Sequence, residues 1–188
     1  MNDVGTQKIE TERLILRQFE YADSVSMLKN WVADEDVQLK YGEPVYSTES
    51  EVRQLLDKYI NGYKGSHYYR WAIIEKASGE CAGQIAFFLV DSKNHFAEIE
   101  YCIGTAFQRR GYATEATNAL IKFGFEKIDL HKVQICVRPV NLPSKGVIEK
   151  CGFTYEGTLR DYFFKGDHYE DRMYFSILQS EYMASRSI

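Results

Sequence analysis

The sequence predicts one domain of α/β (α+β) class, a mixed but mostly antiparallel sheet of about seven strands with helices on its flanks. Three observations predict it. Residues 68–104 read as three successive strands separated by turn-forming stretches, the pattern of an antiparallel meander. Residues 96–138 read strand, helix, strand, which demands a parallel pair because parallel neighbours need a long crossover. The chain then closes on two strands around Lys165-Gly166-Asp167, a hairpin.

Arg13-Leu14-Ile15-Leu16-Arg17 is a short apolar run with polar ends, a first strand. Asp23 stands where it caps a helix reaching about residue 31. Thr48 and Glu51 form a capping box ahead of Val52, Leu55, Leu56, Tyr59 and Ile60, whose spacing places them on one helical face. Between the two helices Tyr41-Gly42-Glu43-Pro44 is a loop, and Asn61-Gly62 ends the second helix. Strands over 68–75, 83–91 and 96–104 follow, with Ala77-Ser78-Gly79-Glu80 and Ser92-Lys93-Asn94 as turns. From 112 to about 127, Ala113, Ala116, Leu120 and Phe123 restore the helical period, and 131–138 is again a strand. Pro139 ends it, and Pro143 suits the first turn of a short helix ending near Cys151-Gly152. The hairpin strands cover 153–161 and 169–178, and residues 184–188 are expected to fray.

At 188 residues the chain can bury a core without disulfides or a structural metal. Its net charge of -4 argues against a nucleic-acid partner, since Arg109-Arg110 is the one tight basic cluster. Cys81, Cys102, Cys136 and Cys151 lie far apart without a CxxC pair, so they read as reduced, mostly buried thiols. His67, His95, His131 and His168 lack the paired spacing of a helical zinc site, and no metal is expected. No apolar stretch approaches the roughly 20 residues that span a bilayer, and Met1-Asn2-Asp3 is not a basic leader. A cytoplasmic protein without membrane partners is expected. Both monomer and homodimer are compatible with the pattern.

Arg110, Gly111, Tyr112, Ala113 and Thr114 occupy a junction where a strand gives way to a helix. Such a junction presents backbone N–H groups to an anion, which the helix dipole also favours. Gly111 lets the backbone approach closely, Ala113 keeps the first turn small, Thr114 adds a hydroxyl, and Arg109 and Arg110 add charge. Neither GxxxxGK[ST] nor GxGxxG is present. Taken alone, the turn is either an anion cradle or an exposed helix start with its charges in water.

Gln108-Arg109-Arg110-Gly111-Tyr112-Ala113 resembles the Q/R-x-x-G-x-G/A motif of the GNAT superfamily of N-acetyltransferases, with alanine in the final position. Four further segments, Glu10-Thr11-Glu12-Arg13-Leu14, Ala97-Glu98-Ile99, Asn141-Leu142-Pro143-Ser144 and Glu149-Lys150-Cys151-Gly152-Phe153, are similar to the RimJ/RimL-like, ribosomal-protein-alanine acetyltransferase subgroup. Tyr112-Ala113-Thr114-Glu115-Ala116 extends the match, and the resemblance covers about residues 8–180.

The resemblance implies that acetyl-CoA is a co-substrate, bound where two parallel strands splay apart, here 96–104 and 131–138. It implies that the acetyl group passes directly to a primary amine in a ternary complex. A bulge near Tyr101-Cys102-Ile103 would free the N–H of Cys102 or Ile103 to polarise the thioester carbonyl. Glu98 and Glu100 are the carboxylates available as base, directly or through a water. Strand period two sets both on one face unless the bulge intervenes; either repulsion raises one pKa, or both are solvated. Only Glu98 is carried over by the resemblance, since Glu100 replaces the glycine of an A-E-I-G-Y pattern. Asn141 either bonds the pantetheine arm or makes an Asx turn before Pro143. The tyrosine that protonates the leaving thiolate in many members is replaced by Ile148; the subgroup implies Ser144 in that role, though Ser144 equally serves as a helix-start residue.

Acceptor choice in the family depends on the first helices, the loop over 38–47 and the closing hairpin. In that hairpin Tyr155, Tyr162, Phe163, Phe164 and Tyr169 either wall a pocket or fill the core. The acidic runs Asp34-Glu35-Asp36 and Asp167, Glu170, Asp171 favour a cationic amine, whether a protein N-terminus or a small molecule. A non-catalytic acyl-CoA-binding or interaction domain keeping the fold is the alternative, motivated by Ile148 and Glu100.

Overall fold

The computed structural model describes residues 1–186, which divide into two compact units. The first comprises residues 3–88 and 100–119, the second residues 1–2, 89–99 and those from 120 onward.

In the first unit β1 (Ile9–Glu10) pairs antiparallel with β2 (Leu14–Arg17), where Leu14 and Leu16 are buried and Ile15 and Arg17 half-buried, the alternation of a one-faced strand. Helices α1 (Ser24–Met27), α2 (Glu35–Tyr41) and α3 (Glu49–Gly62) come next, α1 continuing into a wider turn over Leu28–Val32. The capping box of α3 forms as expected: Thr48 Oγ1 accepts from Glu51 N and Glu51 Oε2 from Thr48 N. β3 (Tyr69–Glu75) and β4 (Cys81–Asp91) then form an antiparallel pair beside β2. Phe19, Met27, Trp31, Val52, Leu56, Ala72, Ile74 and Cys81 interlock as the core of this unit.

β5 (Phe96–Ile103) spans the boundary, its first half in the second unit. α4 (Tyr112–Phe123) starts in the first unit and runs on into a wider turn over Gly124–Ile128, which Asp129 closes at φ +61°. β6 (Lys132–Val137) is parallel to β5 from Phe96↔Lys132 to Ile99↔Ile135, the predicted parallel pair. α5 (Leu142–Lys150), β7 (Thr154–Lys165), β8 (His168–Leu178) and α6 (Gln179–Ser185) complete the unit. Hydrogen bonding orders the strands β1-β2-β3-β4-β5-β6-β8-β7, a mixed sheet of eight. Among the described residues no helix is long and apolar enough to cross a membrane.

Five expectations need correction. The eighth strand, β1, is too short for its periodicity to be read. Asp23 does not cap α1, because Arg17 draws its carboxylate into a two-pronged ion pair at 2.8 and 2.7 Å. The loop over 38–47 begins as helix: Asp34 Oδ1 accepts from Val37 N, and Gly42 (φ +88°) ends α2. Residues 184 and 185 belong to α6, while 187 and 188 lie outside the described residues. β7 is also longer than read, because a register shift between Leu159 and Phe163 absorbs Arg160-Asp161-Tyr162 and hides the pairing beyond.

Candidate functional site

The turn over residues 108–114, the candidate anion site, lies in the first unit. A single turn over Thr105–Phe107 follows β5, and α4 starts at Tyr112. Arg109 (φ +60°) and Gly111 (φ +83°) are both left-handed, which packs the chain tightly ahead of the helix. The amides of Tyr112 and Ala113 fall in the first helical turn, where no intrahelical carbonyl lies four residues back. Gln108 Nε2 donates to Ile103 O at 2.9 Å and ties the turn to the end of β5.

Two residues missed in the sequence hold this turn. Arg13 Nη1 donates to Arg110 O at 2.8 Å, and Arg13 pairs with Glu115 of α4 at 2.7 Å. Glu115 also accepts from Thr11 Oγ1 at 2.6 Å and Arg13 N at 2.9 Å. The Glu-Thr-Glu-Arg-Leu and Thr-Glu-Ala segments were both visible, but nothing local said that they bond to each other. The expected cationic pair is divided: Arg110 meets Glu75 at 3.1 Å, while Arg109 is exposed. Glu75 accepts from Ser78 Oγ at 2.7 Å and Tyr112 OH at 2.5 Å, and these donors hold its carboxyl below the usual range.

The two glutamates of β5 have different partners. Glu100 accepts from Arg70 Nη2 at 2.6 Å and Tyr41 OH at 2.8 Å; Arg70 also meets Gln84 Oε1 at 2.7 Å and lies over the Tyr59 ring. Burial, then the charge of Glu100, pushes the Tyr41 phenol well up. Glu98, in the second unit, is buried and accepts from Gln134 Nε2 at 2.7 Å. Beside it burial, then the Glu98 charge, pushes the Cys136 thiol up to about 12, and burial, then Tyr162, pushes Tyr174 up. Neither glutamate is therefore a freely solvated side chain.

A model of the acetyltransferase (GNAT) domain matches residues 13–154, a span that holds both the turn over 108–114 and the parallel pair of β5 and β6. The chain belongs to the GNAT family of acetyltransferases. It is similar to N-acetyltransferase YnaD of Bacillus subtilis, itself uncharacterized, at 30% identity over 93% of this chain and 98% of that protein. The GNAT-family acetyltransferase from Bacillus anthracis has the same fold, with a TM-score of 0.83 and 29% identity over 93% of this chain and all of that one. The spermidine N-acetyltransferase from Vibrio cholerae, solved in complex with CoA and spermine, shares the fold at a TM-score of 0.76 and 24% identity, covering 92% of this chain and 99% of that one.

In this acetyltransferase Asn141 Oδ1 accepts from Ser144 N at 3.3 Å, so the Asx-type cap is formed, at the start of α5. Ser144 is therefore a first-turn residue of that helix. Ile148 is buried within the same helix. Of the hairpin aromatics, Tyr155, Tyr162, Phe163, Phe164 and Tyr169 are each 43–59% exposed, so they do not fill the core.

Proposed function

We propose that this acetyltransferase passes the acetyl group of acetyl-CoA directly to a primary amine, a peptide N-terminus or a small-molecule amine, in a ternary complex. The turn over 108–114 carries the reading. A left-handed glycine ahead of α4, donor amides at the helix start and Arg13, Arg109 and Arg110 close by fit a pyrophosphate, and a Cβ at Gly111 would lie 3.2 Å from Arg13 Nη2. The coenzyme supplies the activated acetyl thioester.

Around that thioester, the chain's own groups divide the work. Gly104 N donates to Ala82 O of β4, and strand alternation then aims the Ile103 amide away from β4. Ile103 rather than Cys102 is thus the backbone donor for the thioester oxygen. Glu98, buried and oriented by Gln134, takes the proton of the attacking amine, directly or through a water. Ser144, at the start of α5, returns a proton to the leaving thiolate, and the helix dipole favours that anion. Asn141 gives its oxygen to the helix cap and leaves its amide nitrogen for the pantetheine arm. Ile148, 1% exposed, offers no acid, which keeps a coenzyme-binding domain without turnover as the second reading.

Calorimetry with acetyl-CoA tests the first step. Wild type should bind and Gly111→Glu should lose at least a hundredfold in affinity; equal binding, or none by wild type, sinks the reading. Thiol release across a panel of amines then separates enzyme from binder.

A further inference from the structure

β6 has one apolar and one polar face, because Val133, Ile135 and Val137 are buried while Lys132, Gln134 and Cys136 alternate with them and are half-buried. The register carries the polar face sideways. Glu98 of β5 stands opposite Gln134, and on the other side of β6 Ser176 and Tyr174 of β8 stand opposite Gln134 and Cys136. Cys136 is therefore directly across from Tyr174 and diagonal to Glu98, separations of about 5 and 7–8 Å that side chains on one face can bridge.

The three side chains are joined. The Cys136 thiol hydrogen-bonds both Glu98 and Tyr174. Tyr162 of β7 packs edge-on against the Tyr174 ring, with centroids 5.9 Å apart at 89°, and fixes the plane of that phenol. The direction of the line follows from its end. An ionised carboxylate only accepts, so Cys136 S–H donates to Glu98 and the sulfur accepts from Tyr174 O–H. Burial, then the Glu98 charge, pushes the thiol up to about 12 against the pull of Arg172, so it keeps its proton and stays a donor at neutral pH.

The charged groups around this line have partners of their own. Lys132 meets Glu156 at 2.7 Å, and Glu170 meets Arg138 at 3.2 Å, Arg172 at 3.3 Å and Lys165 and His168 at 3.7 Å. Asp91 of β4 accepts from the amides of Lys93 and Asn94, and Glu100 of β5 is held by Arg70 and Tyr41. At about 3.3 Å per residue, His168 lies roughly 20 Å along β8 from Tyr174, too far for its titration to govern Glu98.

We infer that Cys136 and Tyr174 are positioning residues for Glu98. A thiol is a weak donor by itself; Tyr174 polarises it, and it joins Gln134 in holding the carboxylate as an aimed acceptor. Hydrogen bonds to the ionised form favour that form, so the line keeps Glu98 ready to take a proton from the attacking amine. This role rests on Glu98 being the base, whereas the line itself can be tested without any acceptor.

The test is an infrared titration of the free protein in D2O, in which the carboxyl band lost in Glu98→Gln identifies Glu98. Its midpoint should rise by about one pH unit in Cys136→Ala and about half a unit in Tyr174→Phe, while Cys136→Ser, which keeps a donor, stays close to wild type. A midpoint that Cys136→Ala leaves in place overturns the inference, as does one that alanine and serine move equally, the result expected from packing alone. No movement in Tyr174→Phe removes Tyr174 from the line. In thiol-release assays with an alanine tripeptide or a simple diamine as acceptor, the acid limb of kcat/KM should move up with the infrared midpoint, while KM for acetyl-CoA holds. A shifted midpoint beside an unshifted limb keeps the line and removes Glu98 as the base.

Discussion

Glu98 and Glu100 stand two residues apart on one strand, yet the groups around them ask different things of each. Glu98 is buried against an amide donor, Gln134, and a neutral thiol, Cys136. Such a carboxylate suits proton transfer. Glu98→Gln should lower kcat at neutral pH about a hundredfold or more while acetyl-CoA affinity changes little. Ser144→Ala should act in the same direction, and unchanged turnover in either variant removes that residue from its role. Glu100 instead balances Arg70, whose side chain is 14% exposed. Removing one partner of a largely buried pair leaves the other uncompensated, a loss of about 2–4 kcal/mol after allowing for the residual exposure. Glu100→Gln should therefore appear in urea unfolding more than in the chemistry; a stable variant with collapsed kcat would reverse the two assignments. Which glutamate had which task was not legible in the sequence. Both lie in one run, and their partners come from residue 134 in one case and residues 41 and 70 in the other.

At the scale of elements, features written in consecutive residues were legible and features made by competition were not. The amphipathic face of α3, the capping box at Thr48, the parallel crossover and the α4 turn all rest on local spacing, and all appear in the fold. Asp23 failed as the cap of α1 because its carboxylate is taken by Arg17 and by the backbone N–H of Glu20. α2 was hidden because Asp34-Glu35-Asp36 reads equally as a solvated charge run and as a cap with an acidic first turn. The Arg13–Glu115 clasp joins segments 102 residues apart and secures the turn over 108–114 from outside the motif. Glu115 is largely buried, and burial pushes its carboxyl up, but the bonds from Thr11 and Arg13 outweigh this and leave it below 4.5. A carboxylate depressed in the fold contributes stability above its unfolded pKa and loses it as pH falls through the folded one. Glu115→Gln should therefore be less stable than wild type by about 1 kcal/mol at pH 7, Arg13 being half in solvent, and the difference should close below about pH 4. The same variant should weaken acetyl-CoA binding through a loosened turn. Undiminished affinity would show that the turn holds its shape without the clasp.

Across the molecule the titrating groups divide by sign, and the division sets limits on both sides of neutrality. Asp34, Glu75, Glu156 and Glu170 all lie below their ordinary values. Thr105 is the first cause for Asp34, Ser78 for Glu75 and Lys132 for Glu156; at Glu170 burial opposes the shift and Arg172 and Arg138 overcome it. These groups stabilise the fold above the ordinary carboxylate range and lose that contribution as acid protonates them. The cysteines act at the other limit. Burial pushes Cys136 and Cys151 up to about 12, and it raises Cys81 and Cys102 as well. A thiol raised in the fold contributes fully below its unfolded pKa, near 9.0, and the contribution is lost as pH rises through the folded value. The urea midpoint should therefore form a plateau between about pH 5 and 8 and fall on either side. Because only the thiolate is nucleophilic, all four free cysteines should react with a disulfide reagent at pH 8 far more slowly in the native protein than in urea. A native thiol reacting at the unfolded rate would place that side chain outside the core, and a midpoint that holds steady from pH 5 down to 3 would show that the paired carboxylates contribute nothing net to the fold.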